Sequence, residues 1–237
     1  MAMTKEKSRF GFANRNYLVL TLTSTLWSIP TSICNTYFSL YVLGLGGTET
    51  IVGLVTALGS ATFVVVAIVG GHLADLYGRR KLVGVMTLIL GLSQLLVAFA
   101  PNWQILSLAI IISNVFWIFE PAFWAILADS ITEQKRGVAY SLYSCLNCLP
   151  WAIMPSIGGY LIDIQGILAV MKWAYIGLAV SGLTAGILRL ALLQETISHT
   201  PEGNNSQHNP KKVGRVIKDS FREHLQAWRW MPHSALA

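Results

Sequence analysis

One acidic side chain in this sequence lies well inside an apolar stretch. Glu120 stands about seven residues before the end of the stretch that runs from about Trp103 to Leu127. A carboxylate in hydrocarbon is costly unless it is paired, hydrated or protonated. Glu120 is therefore a candidate proton carrier, or a counter-charge for a cationic solute. The structural alternative is a carboxylate that is held by Trp or Ser donors, or that reaches interfacial water.

Polar and aromatic side chains recur at helical spacing in three apolar stretches, so each set occupies one face of its helix. In lipid, such a face must turn towards other helices or a wet cavity. We predict that Asn35, Trp117 and Asn147 lie with Glu120 along a solute pathway. Interhelical hydrogen bonding is the alternative role for these sets. They are Ser24, Ser28, Thr31 and Asn35; Ser113, Trp117, Glu120 and Trp124; and Tyr140, Ser144, Asn147 and Trp151.

Two short turns combine a carboxylate with cations. The first, at residues 71–81, contains Asp75 followed by three consecutive cations. The second repeats the Leu-Ala-Asp of the first turn at residues 127–129, and Arg136 and Gly137 follow. A carboxylate and a cation in such a turn can pair and hold two helix ends together.

The composition is typical of a polytopic membrane protein. Hydrophobic residues make up 54% of the 237 residues, charged residues make up 12%, and the mean hydropathy is +0.55. The net charge of +6 lies mainly in the segments outside the apolar stretches, which argues against a nucleic-acid partner. The three cysteines lie in apolar stretches and imply no disulfide framework. We find no pattern typical of an enzyme, a metal site or a cofactor site, and expect none of these.

Six apolar stretches are long enough to cross about 30 Å of hydrocarbon at about 1.5 Å per residue. Lys and Arg concentrate before the first stretch, in the two turns and after the last stretch. The positive-inside rule therefore places both termini in the cytoplasm. The stretches run from about residues 17–41, 51–73, 82–100, 103–127, 138–162 and 167–193.

We therefore predict an all-α, polytopic membrane fold in three parts. Residues 1–16 form a cytoplasmic N-terminus, residues 17–193 form a bundle of six transmembrane helices, and residues 194–237 form a cytoplasmic linker. From about Lys211 to Trp230, apolar residues recur every three or four positions among cations. This pattern predicts a basic amphipathic helix that lies on the inner membrane face or against cytoplasmic loops.

The turn at residues 71–81 resembles the signature of the major facilitator superfamily of secondary transporters, G-x-L-A-D-[RK]-x-G-R-[RK]. Leu76 departs from this signature, since a cation is usual there. The turn at residues 127–137 is similar to the Asp and Arg-Gly that the family often has after its fourth span. The residues that fit the signature in register are Gly71, Leu73, Ala74, Asp75, Gly78, Arg79 and Arg80.

The resemblance implies one six-helix bundle of the family's fold and transport by alternating access. In the family, the aspartate that matches Asp75 interacts with the cytoplasmic start of span eleven, and Arg79 would orient that aspartate. The conformational gate that the resemblance implies consists of Gly71, Asp75, Gly78, Arg79, Arg80, Asp129 and Arg136.

Two departures limit what the resemblance implies about mechanism. Many family members carry an arginine in span four, and this sequence has none there. Pro155, Gly158 and Gly159 resemble the end of a fifth-span pattern that is associated with antiporters, but the upstream glycines of that pattern are missing. The direction of coupling therefore stays open.

The resemblance covers about half of a family transporter. We expect the chain to be the first half of a transporter for a small solute in the plasma membrane. Its expected partners are the lipid bilayer, the solute, and a missing C-terminal six-helix half or a second copy of the chain. The alternative is a six-span membrane protein that transports nothing, such as a regulatory or assembly partner.

The resemblance leads to a first prediction about Asp75. Replacement of Asp75 by Asn should abolish transport by the complete protein without preventing its insertion, because the gate loses its charge. Solute flux and the amount of protein in isolated membranes would be measured together. Transport at the wild-type rate would remove Asp75 from the gate.

Overall fold

The structure is a computed structural model, and it describes residues 14–195, apart from the side chain of Asp75. Most of the predicted N-terminal segment and the predicted amphipathic helix lie outside the described residues. Six helices in the described part of the chain are long and apolar enough to cross a membrane. The prediction of an all-α fold with six membrane-spanning helices is therefore confirmed, whereas the division into three parts remains a prediction.

The described chain has eight α-helices, of which seven form the six spans, and two of the predicted apolar stretches contain more than one helix. Span 1 ends earlier than predicted, because the helix breaks at Tyr37 and a short second helix follows. Span 4 consists of α5 and α6, which are separated by a 3-10 segment at Phe116–Phe119. The helices are α1 Arg15–Thr36, α2 Phe38–Gly44, α3 Glu49–Tyr77, α4 Arg79–Ala98, α5 Trp103–Val115, α6 Glu120–Asp129, α7 Arg136–Gln165 and α8 Ile167–Leu192.

Local sequence signals explain where the spans begin and end. Thr48 and Asn102 are N-caps, and their side-chain oxygens accept hydrogen bonds from the N–H groups of Ile51 and Ile105 at 3.4 and 2.9 Å. Gly78, with φ of 85°, separates α3 from α4. This left-handed conformation favours glycine, so the chain can reverse direction there within one residue.

Spans 1, 3 and 6 form the inside of the bundle, and spans 2 and 5 lie at its outside. Of the 18 consecutive residues that are most apolar in each span, 56% are buried in α4, whereas 17% are buried in α3 and 11% in the span that contains α7. The exposed side chains of α3 and α7 are largely aliphatic or aromatic, as lipid or further helices would require.

Spans 3 and 6 approach each other through glycines. A Cβ atom on Gly182 would lie 2.7 Å from the Cα atom of Gly91, and a Cβ atom on Gly91 would lie 2.9 Å from the carbonyl carbon of Gly182. Gly182 and Gly186 have the four-residue spacing of small residues that lets membrane helices pack closely. This contact holds α4 against α8 at backbone distance.

We expect replacement of Gly182 by Ala to destabilise the bundle by about 1–3 kcal/mol, because the added methyl group must separate α4 and α8. Replacement of Gly53 by Ala is the matched control, since a Cβ atom there meets nothing within 4 Å. The midpoint of thermal unfolding in detergent would be measured for both variants. Equal midpoints would contradict the glycine contact.

Candidate functional site

Two of the predicted pathway residues, Trp117 and Glu120, lie at the break in span 4. Pro121 lacks an N–H group, so it cannot make the backbone hydrogen bond of a regular helix at this point. The preceding 3-10 segment carries Trp117, and α6 begins at Glu120. Gly70 of α3 lies against the carbonyl group of Ile118, and a Cβ atom there would overlap that oxygen. The glycine therefore allows span 2 to pack against the break.

One cavity in the described residues contains Asn35, and we call it the Asn35 cavity. It has a volume of about 420 Å³. The hydroxyl group of Ser113 lines it, is buried and has no hydrogen-bond partner among the described residues. A water molecule or a polar group of a solute would satisfy this hydroxyl. Other lining residues are Thr56, Ser60, Phe63, Gln94, Asn114 and Tyr175.

The second cavity contains Glu120, and we call it the Glu120 cavity. Its volume is about 200 Å³, and its wall is rich in aromatic side chains. The indole N–H group of Trp124 donates to Oε1 of Glu120 at 3.3 Å. Other lining residues are Ser24, Ser28, Thr87, Phe119, Phe123, Tyr143, Asn147, Trp151 and Arg189.

Trp27 and Trp117 line both cavities and meet at the boundary between them. Their ring centroids are 6.3 Å apart, and the rings are nearly perpendicular at 81°. Trp117 also stacks on Phe119, with centroids 5.7 Å apart. An aromatic pair thus stands between the larger cavity and the smaller one that contains Glu120.

The four predicted pathway residues are distributed over this pair of cavities. Asn35 lines the larger cavity, Glu120 and Asn147 line the smaller one, and Trp117 lines both. The side-chain amide of Asn147 donates to the carbonyl group of Tyr143, one turn earlier, at 2.9 Å. The structure thus brings the four residues to one continuous region, and their role in solute passage remains a prediction.

Arg189 is the most buried cation in the described part of the chain, and no pattern in the sequence had singled it out. Arg189 is only 5% exposed. Its guanidinium group donates from Nε to Thr23 Oγ1 at 3.1 Å, from Nη1 to Thr87 Oγ1 at 2.9 Å and from Nη2 to Ser24 Oγ at 3.2 Å. The available signal was a cation about four residues before the end of the last apolar stretch.

Two of the three hydroxyl groups around Arg189 are oriented by their own helices. Thr23 donates its proton to the carbonyl group of Val19 at 2.7 Å, and Thr87 donates to Val83 at 2.6 Å. Each hydroxyl therefore presents its lone pairs to the guanidinium group. The rings of Phe119 and Phe123 lie 5.9 and 5.1 Å from the guanidinium carbon, which adds cation–π attraction.

The predicted gate residues whose side chains are described form two contacts between helix ends. Nη1 of Arg79 donates to Oδ2 of Asp129 at 2.6 Å, so the first charged turn is joined to the end of span 4. Arg136 begins α7 and is exposed. The side chain of Asp75 lies outside the described residues.

Arg80 joins the same turn to the end of span 6. Its side chain donates from Nη2 to the carbonyl group of Leu190 at 2.6 Å, and its backbone N–H group donates to Glu195 at 3.1 Å. Carbonyl groups in the last turn of a helix lack intrahelical donors, so Arg80 caps α8. Asn16 and Gln194 exchange two further hydrogen bonds at 2.9 and 2.7 Å, which fix the start of α1 to the same end of α8.

Comparison with known proteins gives a consistent result. The family model of the Major Facilitator Superfamily matches residues 17–236. An uncharacterized MFS-type transporter of Methanocaldococcus jannaschii is 23% identical over 89% of this chain and 53% of its own length.

Two further relatives are named for drug resistance. The multi-drug resistance efflux pump PmrA homolog of Lactococcus lactis is 29% identical over 56% of this chain and 34% of its own length. The quinolone resistance protein NorA of Staphylococcus aureus is 21% identical over 69% of this chain and 41% of its own length. The matched part of the chain thus spans about half the length of these relatives or less.

The contacts of Arg189 generate a stability prediction. Replacement of Thr87 by Val keeps the shape of the side chain but leaves a buried guanidinium N–H group unsatisfied, which costs about 1–3 kcal/mol. Thr184→Val is the control, because the Thr184 hydroxyl also bonds to its own helix, at 2.8 Å, but is exposed. Unfolding midpoints in detergent should fall for Thr87→Val alone, and a common shift would refute the special role of Thr87.

Proposed function

The chain belongs to the major facilitator superfamily, and we propose that it forms the first six-helix bundle of a secondary transporter for small amphipathic organic solutes. The family establishes an integral membrane protein with a role in membrane transport. The solute class, the coupling to protons and the need for a second bundle are parts of the proposal.

The observation that carries the proposal is the Glu120 cavity. A carboxylate stands at the break of a membrane-spanning helix and faces a cavity whose walls are aromatic. Aromatic walls suit the flat, apolar body of an organic solute, and an acidic group suits a cationic centre or an exchangeable proton. Glu120 has a hydrogen bond to Trp124 at 3.3 Å, which keeps its carboxylate at the cavity wall.

The names of two relatives support the same solute class. One is described as a multi-drug resistance efflux pump and another as a quinolone resistance protein. Drugs of this kind are organic molecules of the size that aromatic cavities accept. We therefore propose efflux as the direction of transport.

A second set of helices would complete the pathway. Spans 2 and 5 leave most of their apolar surface exposed in the described residues. A C-terminal six-helix half, or a second copy of this chain, would cover such faces and enclose the two cavities. We place the complete transporter in the plasma membrane with both termini of this chain in the cytoplasm.

The charged turns supply a conformational gate in this proposal. The Arg79–Asp129 pair and the contacts of Arg80 hold the ends of spans 2, 3, 4 and 6 together on one side of the bundle. Alternating access requires contacts of this kind to form in one state and to open in another. Asp75 lies in the same turn, where a helix end of the second bundle would attract its charge.

The test of the proposed function uses cells that carry the native gene with its downstream sequence. We expect these cells to accumulate several-fold less rhodamine 123, a fluorescent organic cation, than cells from which the gene has been deleted. Equal accumulation in the two strains would favour the alternative of a six-span protein that transports nothing.

Proton coupling is tested by Glu120→Gln in the same cells. Wild-type efflux should vary with external pH, and Glu120→Gln should flatten this dependence because the amide binds no proton. Glu49→Gln is the matched control, since Glu49 is exposed at the start of α3 and lines neither cavity. An unchanged pH profile in Glu120→Gln would exclude Glu120 as the proton carrier.

A further inference from the structure

We propose that Arg189 forms an anion-binding subsite in the Glu120 cavity, and that the solute is an amphipathic organic zwitterion whose carboxylate binds Arg189. This inference rests on the proposed function, because it assigns a chemical class to the solute of that cavity. It adds a second charged contact to the one that Glu120 supplies.

The first argument is the uncompensated charge of Arg189. Arginine stays protonated in proteins, so its side chain at 5% exposure carries a full positive charge. Buried charges within membranes are normally paired with an opposite charge. Among the described side chains, the partners of Arg189 are three hydroxyl groups and two phenyl rings, all of them neutral.

The second argument is the number and position of free donors. A guanidinium group has five N–H donors, and three of them serve Ser24, Thr23 and Thr87. The two donors left without a partner among the described residues are one on Nη1 and one on Nη2. This is the fork that binds the two oxygens of a carboxylate. Because Arg189 lines the Glu120 cavity, a solute there can reach the fork.

The third argument is the relation of Arg189 to Glu120. Both side chains line the same cavity, yet no ion pair within 4 Å joins these two described residues. Glu120 is held by Trp124 instead. Opposite charges that face one space without pairing are complementary to a molecule that carries both charges.

The apolar body of the solute would lie against Trp27 and Trp117. The Glu120 cavity of about 200 Å³ is small for an organic solute with several rings, but Trp27 and Trp117 also line the cavity of about 420 Å³ beside it. A solute anchored at Arg189 would place its rings against these side chains, at the boundary between the two cavities. The hydroxyl groups of Thr23, Ser24 and Thr87 hold the guanidinium group in place before the solute binds, which reduces the entropic cost of binding.

The experiment compares two dyes that differ in one group. Rhodamine 110 has a free carboxylate and is a zwitterion at neutral pH, whereas rhodamine 123 is its methyl ester and a cation. Binding of each dye to the complete transporter, expressed from the native gene with its downstream sequence and purified into lipid nanodiscs, would be measured by fluorescence polarisation. We expect the wild-type chain to bind rhodamine 110 at least tenfold more tightly than rhodamine 123.

Variants assign this preference to Arg189. Arg189→Gln should abolish the preference, while binding of rhodamine 123 stays unchanged or improves because the cation repels it less. Lys172→Gln is the matched control, since it removes another cation from α8 that lines neither cavity. Glu120→Gln should weaken both dyes by a similar factor, because both carry the cationic centre.

A second variant at Arg189 covers the case in which Arg189→Gln fails to fold. Arg189→Lys keeps the positive charge but loses the fork, so the preference for rhodamine 110 should fall without vanishing. A preference that is absent from the wild-type chain, or that survives unchanged in the Arg189 variants, would overturn the subsite.

The result also separates this inference from the proposed function. Equal binding of both dyes by the wild-type chain would leave the solute cavity in place and remove the carboxylate subsite. Failure of the wild-type chain to bind either dye would count against the proposed solute class itself. Saturable binding with a preference for the acid that depends on Arg189 supports both.

Discussion

The bundle depends on the need to satisfy polar groups where no water is available. Arg189 shows this constraint most directly, because its guanidinium group in span 6 donates to hydroxyl oxygens of spans 1 and 3. The hydroxyl groups of Thr23 and Thr87 are themselves anchored to backbone carbonyl groups of their own helices, which fixes their positions in the network. The close glycine contact joins the same two helices, α4 and α8. It brings them to the distance at which Arg189 of α8 reaches Thr87 of α4.

Span 4 also contains polar groups that need partners where no water is available, and here the groups belong to the backbone. A proline and a 3-10 segment interrupt the helix, and a glycine of span 2 allows a second backbone to lie against the interruption. Irregular backbone at membrane depth is tolerated where it is covered by protein or lines a cavity. The interruption carries Trp117 and Glu120, so the least regular part of the bundle also holds two of the predicted pathway residues.

The fold could be predicted from the sequence because each span is recognisable from its own run of apolar residues. Apolar length alone located six helices, and the cations between them marked the turns. Local patterns also selected Asn35, Trp117, Glu120 and Asn147, since helical spacing shows which polar residues share a face. The early end of span 1 at Thr36 was missed, because the stretch continues to be apolar through the break.

Contacts between distant residues could not be predicted in this way. Arg189 lies near the end of a span, where a long cation ordinarily extends to the interface, and its partners are more than 100 residues away. The Arg79–Asp129 pair joins residues 50 positions apart, and no periodicity connects them. Such pairings depend on which helices become neighbours, and a pattern read along one helix does not contain that information.

The bond from Arg80 to the carbonyl group of Leu190 has a thermodynamic consequence. Leu190 follows Arg189 directly, so the charged turn and the wall of the Glu120 cavity share one turn of helix α8. If a rearrangement of the turn alters the affinity of the cavity, occupancy of the cavity must alter the equilibrium of the turn by the same factor. The charged turn and the Glu120 cavity would then be coupled in both directions, so that a solute bound in the cavity would shift the equilibrium of the turn without touching it.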